Sequence, residues 1–198
     1  MEKKLNIKPI IFMLLLPVVC AVGLTLAYYT SEVRVVNKFK TNTYNVDIED
    51  RSTGSWGERT VSFINREEEN SSVVLRINYN ESWTNKNDDV LLTIDNTVNG
   101  VNAVSKEWTD EFKNNFIKGE DGWYYYTKVL NAKESVKVLN SVDLNQTLIE
   151  TSPYYNEYLT YTYDLSFNFE AIQATSKAVE EIWNKKITIE GNEVTWEL

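Results

Sequence analysis

The sequence predicts a mostly β protein, an antiparallel jelly-roll-like β-sandwich with one or two short helices in its connections. Three observations carry that expectation. The strongest hydrophobic period after residue 27 is two, the spacing of strands with one buried face. Tyr, Trp, Phe, Val, Ile and Thr, which suit a pleated, half-buried surface, are abundant. Eight or so alternating runs follow one another between turn clusters, with no repeat, linker or low-complexity tract, as in a single sandwich domain.

In chain order, "TNTYNVDIED" (41–50) opens the domain as a strand. "SVVLRINYN" (72–80) sets Val73, Leu75, Ile77 and Tyr79 on one face, and "VLLTID" (90–95) follows as another strand. Trp108, Phe112 and Phe116 recur every four residues in "SKEWTDEFKNNF" (105–116) and predict a short helix. "GWYYYTKVL" (122–130) and "SVKVLNSVDL" (135–144) are further strands. The longest alternation is "LTYTYDLSFNFE" (159–170): Leu159, Tyr161, Tyr163, Leu165, Phe167 and Phe169 set against polar neighbours. A second helix is expected at "SKAVEEIWN" (176–184), where Ala178, Val179, Ile182 and Trp183 share a face and Ser176 is the N-cap. "ITIEGNEVTWEL" (187–198) reads as a hairpin turning at Gly191-Asn192, with Ile189 opposite Val194 and Ile187 opposite Trp196.

The first 27 residues have a different character. Lys3, Lys4 and Lys8 precede an uncharged apolar run from Ile10 to Ala27, the pattern of a secretory signal. The run is long enough to span a bilayer, but Pro17 and Gly23 weaken a continuous helix. Thr25 and Ala27 are small enough for a signal peptidase, which places the cut before Tyr28. The alternative is a retained anchor and a surface-displayed protein. The bulky Pro17-Val18-Val19 ahead of Cys20 argues against a lipoprotein signal. The expected organisation is a signal at 1–27, an N-terminal strand segment at 28–40 and one sandwich domain at 41–198.

Removing the signal, with its three lysines and one glutamate, takes the formal charge from −9 to −11. Phosphate backbones would repel such a chain, so nucleic acid is not an expected partner. The membrane is expected to be met only through the signal. Cys20 is the one cysteine, so the processed chain has no disulfide, which suits a bacterial exported domain of this size. Histidine is absent, which removes the commonest general base, the Ser-His and Cys-His pairs and most zinc sites. No catalytic motif is present, and no enzyme activity, cofactor or metal is expected. Glu67 to Glu69 and the pair Asp88-Asp89 lack the spacing of a calcium loop and read as solvated turns.

Two stretches remain as candidate sites. In "GEDGWYYYTK", Trp123 and Tyr125 point to one face of a strand and Tyr124 and Tyr126 to the other. Aromatics on a concave sheet could stack sugar rings, which would make a carbohydrate-binding module; the alternative is that they fill the core. After the signal, Tyr29, Val33, Val35 and Phe39 lie on one face of an extended segment, opposite Glu32, Arg34 and Lys38. This is either an ordinary strand of its own fold or one that leaves to pair with a neighbour's sheet edge. Donation from a free N-terminus would link subunits head to tail into open filaments.

Three blocks resemble the TasA/camelysin family. "LAYYTSEVRVVNKFKTNTYNVDIED" is similar to its N-terminal signature, at Ala27, Tyr28, Tyr29, Thr30, Asn37, Phe39, Val46 and Ile48. "GEDGWYYYTKVLNAKESVKVLNSVDL" resembles the family's aromatic block, and "FNFEAIQAT" its segment ahead of a helix, at Glu170, Ala171, Ile172, Gln173 and Ala174. The likeness is strongest to the BsaA-type branch of SipW-dependent biofilm matrix proteins. It departs at Asn131 to Ser135, "NAKES", where the family commonly has Pro-Gly before the Glu. The resemblance implies a jelly-roll subunit, secreted to the extracellular matrix or cell surface and cut by a SipW-type signal peptidase. It also implies self-assembly into fibres by N-terminal strand donation, with other matrix subunits as further candidate partners. The metalloprotease activity ascribed to camelysin-like members does not carry over to a chain without histidine.

Overall fold

The computed structural model describes residues 33–34, 38–39, 45–52, 56–57, 59–68, 71–87 and 89–198. Two short strands come first, β1 (Val33–Arg34) and β2 (Lys38–Phe39), followed by β3 (Val46–Ser52), β4 (Arg59–Asn65) and the long β5 (Val73–Asn87). Next are β6 (Val90–Ile94), β7 (Thr97–Val98), β8 (Val101–Asn102), β9 (Val104–Trp108), helix α1 (Asp110–Asn115), β10 (Phe116–Lys118) and β11 (Tyr124–Tyr126). The chain continues through β12 (Ser135–Leu144), α2 (Gln146–Ile149), α3 (Tyr155–Thr160), β13 (Thr162–Gln173), α4 (Ser176–Trp183), β14 (Lys186–Glu190) and β15 (Glu193–Glu197).

The expected antiparallel sandwich forms. The smaller sheet has the order β3-β4-β12-β9, all antiparallel. The larger has the path β1-β13-β5-β11-β10, with β6 also on β5 and β2 also on β13. Its spine is the β13–β5 ladder, twelve antiparallel pairs from Thr162–Thr84 to Gln173–Val73. Alternation in sequence becomes alternation in burial. Tyr163, Leu165, Phe167 and Phe169 of β13 meet Val61 and Phe63 of β4 across the sandwich, with Phe63 edge-on to Phe169 at 5.1 Å and to Phe167 at 6.3 Å.

A third layer covers one end of the larger sheet. Val74, Ile172 and Tyr125 project from its outer face into a second core with Val179 and Trp183 of α4 and Ile187, Val194 and Trp196 of β14–β15. That hairpin has the predicted register, Ile189 with Val194 and Ile187 with Trp196.

Four local expectations are corrected. Trp108 belongs to β9, where it pairs with Leu139, and the helix begins after its N-cap Thr109, whose Oγ1 accepts from the Phe112 N–H at 3.0 Å. The four-residue aromatic spacing persists as a row of ring contacts, Trp108 stacked on Phe112 at 4.5 Å and Phe112 tilted against Phe116 at 5.1 Å, across a strand, a helix and a strand. Residues 159–160 end α3, so the long strand starts at Thr162. Helix α4 is capped by Thr175 rather than Ser176, whose hydroxyl donates to the Ile187 carbonyl, and Ile182 is exposed. Strand β4 was not anticipated.

Candidate functional site

The N-terminal segment and the sheet edge it meets form the first candidate. Thr25, Ala27, Tyr28, Tyr29 and Val35 lie outside the described residues, whereas Val33 and Phe39 fall in β1 and β2. Both short strands run parallel to β13: Val33 pairs with Tyr163 and Arg34 with Asp164, then Lys38 with Asn168 and Phe39 with Phe169. Partners are 130 residues apart in every pair, so both ladders share one register.

That edge has a definable hydrogen-bonding pattern. Just beyond the β13–β5 ladder, the Ala174 N–H donates to the Ser72 carbonyl. Bonded pairs alternate in an antiparallel ladder, so the even-numbered residues of β13 bond β5 and the odd-numbered ones turn their N–H and C=O groups to the outer edge. Tyr163, Leu165, Phe167 and Phe169 thus bury their side chains in the sandwich and present their backbones to an incoming strand.

One side chain reaches this edge from the opposite sheet. Arg59 opens β4 on the inward face shared with Val61 and Phe63, and is 1% exposed. Its Nε and Nη2 bond the two carboxylate oxygens of Asp50 at 3.2 and 2.8 Å, the fork geometry that arginine makes with carboxylate. Nη2 also donates to the Leu165 carbonyl at 2.8 Å. Nη1 is buried and has no hydrogen-bond partner among the described residues. The sequence does carry a signal for this residue, because the alternation Arg59, Val61, Phe63, Asn65 puts an arginine on an apolar face.

The aromatic stretch is the second candidate, and it is divided between two cores. Tyr124 and Tyr126 pack on the main core. Tyr125 is fully buried in the second, with its hydroxyl donating to Asp121 at 2.6 Å, so it has no ring face open to a sugar. Gly119 leaves room for it: a Cβ there would lie 2.9 Å from the Tyr125 ring. Trp123 covers the guanidinium of Arg76 at 4.6 Å, and Trp183 covers it at 4.5 Å. Arg76 also bonds Glu170 at 2.6 and 3.0 Å and the Tyr125 hydroxyl at 3.2 Å. Burial, reinforced by the bond to Asp121, pushes the Tyr125 phenol up to about 12. Burial works to raise Asp121 as well, but its bonds to Tyr125 and Trp123, with Lys185 and Arg76 nearby, hold its carboxyl below the ordinary value.

Among the described residues, no three His, Cys, Asp or Glu side chains converge as they would to hold a metal ion. No helix among them is long and apolar enough to cross a membrane; the apolar run at 10–27 lies outside that set. Of the acidic turns, Glu69 and Asp88 also lie outside it. Compared with protein-family models, characterised proteins and solved structures, the chain finds no match.

Proposed function

We propose that this chain is a non-catalytic, secreted structural subunit, jelly-roll in topology and of the TasA/camelysin kind, that polymerises into extracellular matrix fibres. Residues 28–40 of one copy would add to the outer edge of β13 in the next, giving a head-to-tail, open-ended chain. One observation carries this reading. The described contact between the segment and its own domain is two two-residue parallel ladders on the side of β13 away from β5, set on a strand twelve residues long. An edge that accepts this sequence in cis offers the same backbone groups to a second copy. Main-chain bonds would supply the affinity, and Val33, Val35 and Phe39 the side-chain complementarity. Deleting residues 28–39 from the processed chain tests the proposal by electron microscopy and sedimentation. The truncated protein should stay monomeric, and filaments indistinguishable from those of the full segment would refute strand donation.

A further inference from the structure

We propose that Arg59, fixed by Asp50, sets the register of the strand that adds to the β13 edge. The inference rests on the strand-addition reading above and names the residue that positions the strand.

Leu165 sits midway between the two ladders, at 163–164 and at 168–169. Its carbonyl is one of the outward-facing groups that a continuous parallel ladder would bond to the added strand, and Arg59 Nη2 donates to it as well. A strand sliding along β13 therefore meets, at Leu165, an edge carbonyl that already accepts from a guanidinium. The same group carries the attractive element. Nη1 is a buried, charged N–H donor with no partner among the described residues, which is costly unless an acceptor arrives. A main-chain carbonyl of the added strand is the chemistry that satisfies it. Asp50 grips the Nε–Nη2 edge of the guanidinium, which leaves Nη1 directed away from it.

The guanidinium is well fixed for this task. Its carboxylate partner is 8% exposed at the side chain, and β3 and β4, which carry the pair, are zipped over seven residues. A one-residue slip of the strand would turn its apolar face outward, so the pleat alone forbids odd slips. Slips of two residues keep the pleat satisfied. Only a feature at one position, such as Arg59, distinguishes them.

The test is disulfide trapping in the full chain carrying Cys20→Ser. Lys38→Cys is combined in turn with Asn168→Cys, its partner in register, and with Ser166→Cys or Glu170→Cys, each two residues off. All three β13 positions face away from the sandwich core. In the parent chain the 38–168 disulfide should exceed either neighbour by roughly tenfold, the discrimination expected of one charge-assisted hydrogen bond. With Arg59→Lys, which keeps the charge but loses the fork, the preference should fall towards parity. The charge-neutral pair Asp50→Asn/Arg59→Met should do the same and guards against a folding defect from an unpaired carboxylate. An unchanged 38–168 preference in both variants, or no preference in the parent, overturns the inference. Non-reducing gels separate it from the strand-donation reading: disulfides confined to monomers sink donation between copies and leave the register role intact.

Discussion

Replacing Arg76 with methionine tests the polar staple that joins the third layer to the sandwich. Arg76 comes from β5, Glu170 from β13 and Trp183 from the end of α4, so its contacts bind three separate elements. Methionine keeps much of the stem and removes two guanidinium–tryptophan contacts at 4.5 and 4.6 Å, each worth about 0.5–2 kcal/mol. It also strands Glu170. Breaking a fully buried pair costs roughly 3–5 kcal/mol, but these side chains are 13% and 23% exposed, so about 1–2 kcal/mol is the fitting share. Because the contacts share one group they do not add in full, and the expected loss is about 3 kcal/mol. Arg76→Lys, which keeps the charge but not the planar fork, should lose about half of that. Urea unfolding followed by tryptophan fluorescence reads the change, and hydrogen exchange should locate it in residues 176–197. A loss below about 0.5 kcal/mol for Arg76→Met would refute the idea that this cluster holds the third layer in place.

Three further outcomes follow from the same contacts. Lys133 has φ +64°, a left-handed conformation that costs a side-chain-bearing residue roughly 1 kcal/mol, and its ion pair with Glu68 is too exposed to compensate. Lys133→Gly should therefore stabilise by about 0.5 kcal/mol after glycine's extra unfolded-state entropy, seen as a rise of about 1–2 °C in calorimetry; a fall in melting temperature contradicts it. Tyr79, Tyr125, Tyr126 and Tyr163 are all raised above 10.0, chiefly by burial, so the native state holds protons that the unfolded state releases. Stability should be complete below about pH 10 and fall as pH rises beyond it, with the last step of phenolate absorbance appearing together with unfolding; ionisation of every tyrosine in a still-folded protein contradicts it. Leu91, 66% exposed on the edge strand β6, should accept lysine within about 0.5 kcal/mol while light scattering falls; a loss above 1 kcal/mol contradicts it.

Period-two alternation was legible wherever one face is apolar throughout, as in β13 and in β14–β15, where even the pairing register follows from the turn. Strand β4 escaped notice for a physical reason. Its inward residues include Arg59 and Asn65, polar groups whose burial depends on acceptance by Asp50 and by the carbonyls of Leu165, Ser71 and Leu130, and two of these partners, Leu165 and Leu130, are distant in sequence. The helical reading of residues 105–116 held for Asp110–Asn115 and overran at Trp108 and Phe116, because spacing by four also arises when a strand hands over to a short helix and then to another strand. Of the candidate sites, the amphipathic character of the N-terminal segment was readable, whereas its receiving edge was not. Which side of β13 is left to short partners depends on the order of the whole sheet, and no local pattern encodes that.

A strand that stays at home and one that moves to a neighbour make the same backbone bonds, so the choice between them rests on concentration and tether. A segment tethered to its own domain acts at an effective concentration on the order of millimolar. At micromolar subunit, donation must then be favoured by about a thousandfold, or roughly 4 kcal/mol. The edge itself cannot supply that difference, since β13 is common to both arrangements. Between Phe39 in the larger sheet and Val46 in the smaller lie six residues, which reach about 20 Å at full extension, while packed sheets stand about 10 Å apart. A hinge of that reach crosses between the sheets with length to spare, so its length does not by itself drive exchange between copies. The same hinge in trans would hold neighbouring domains within about 20 Å, so a fibre made this way is a close-set string of folded sandwiches whose spacing the hinge determines.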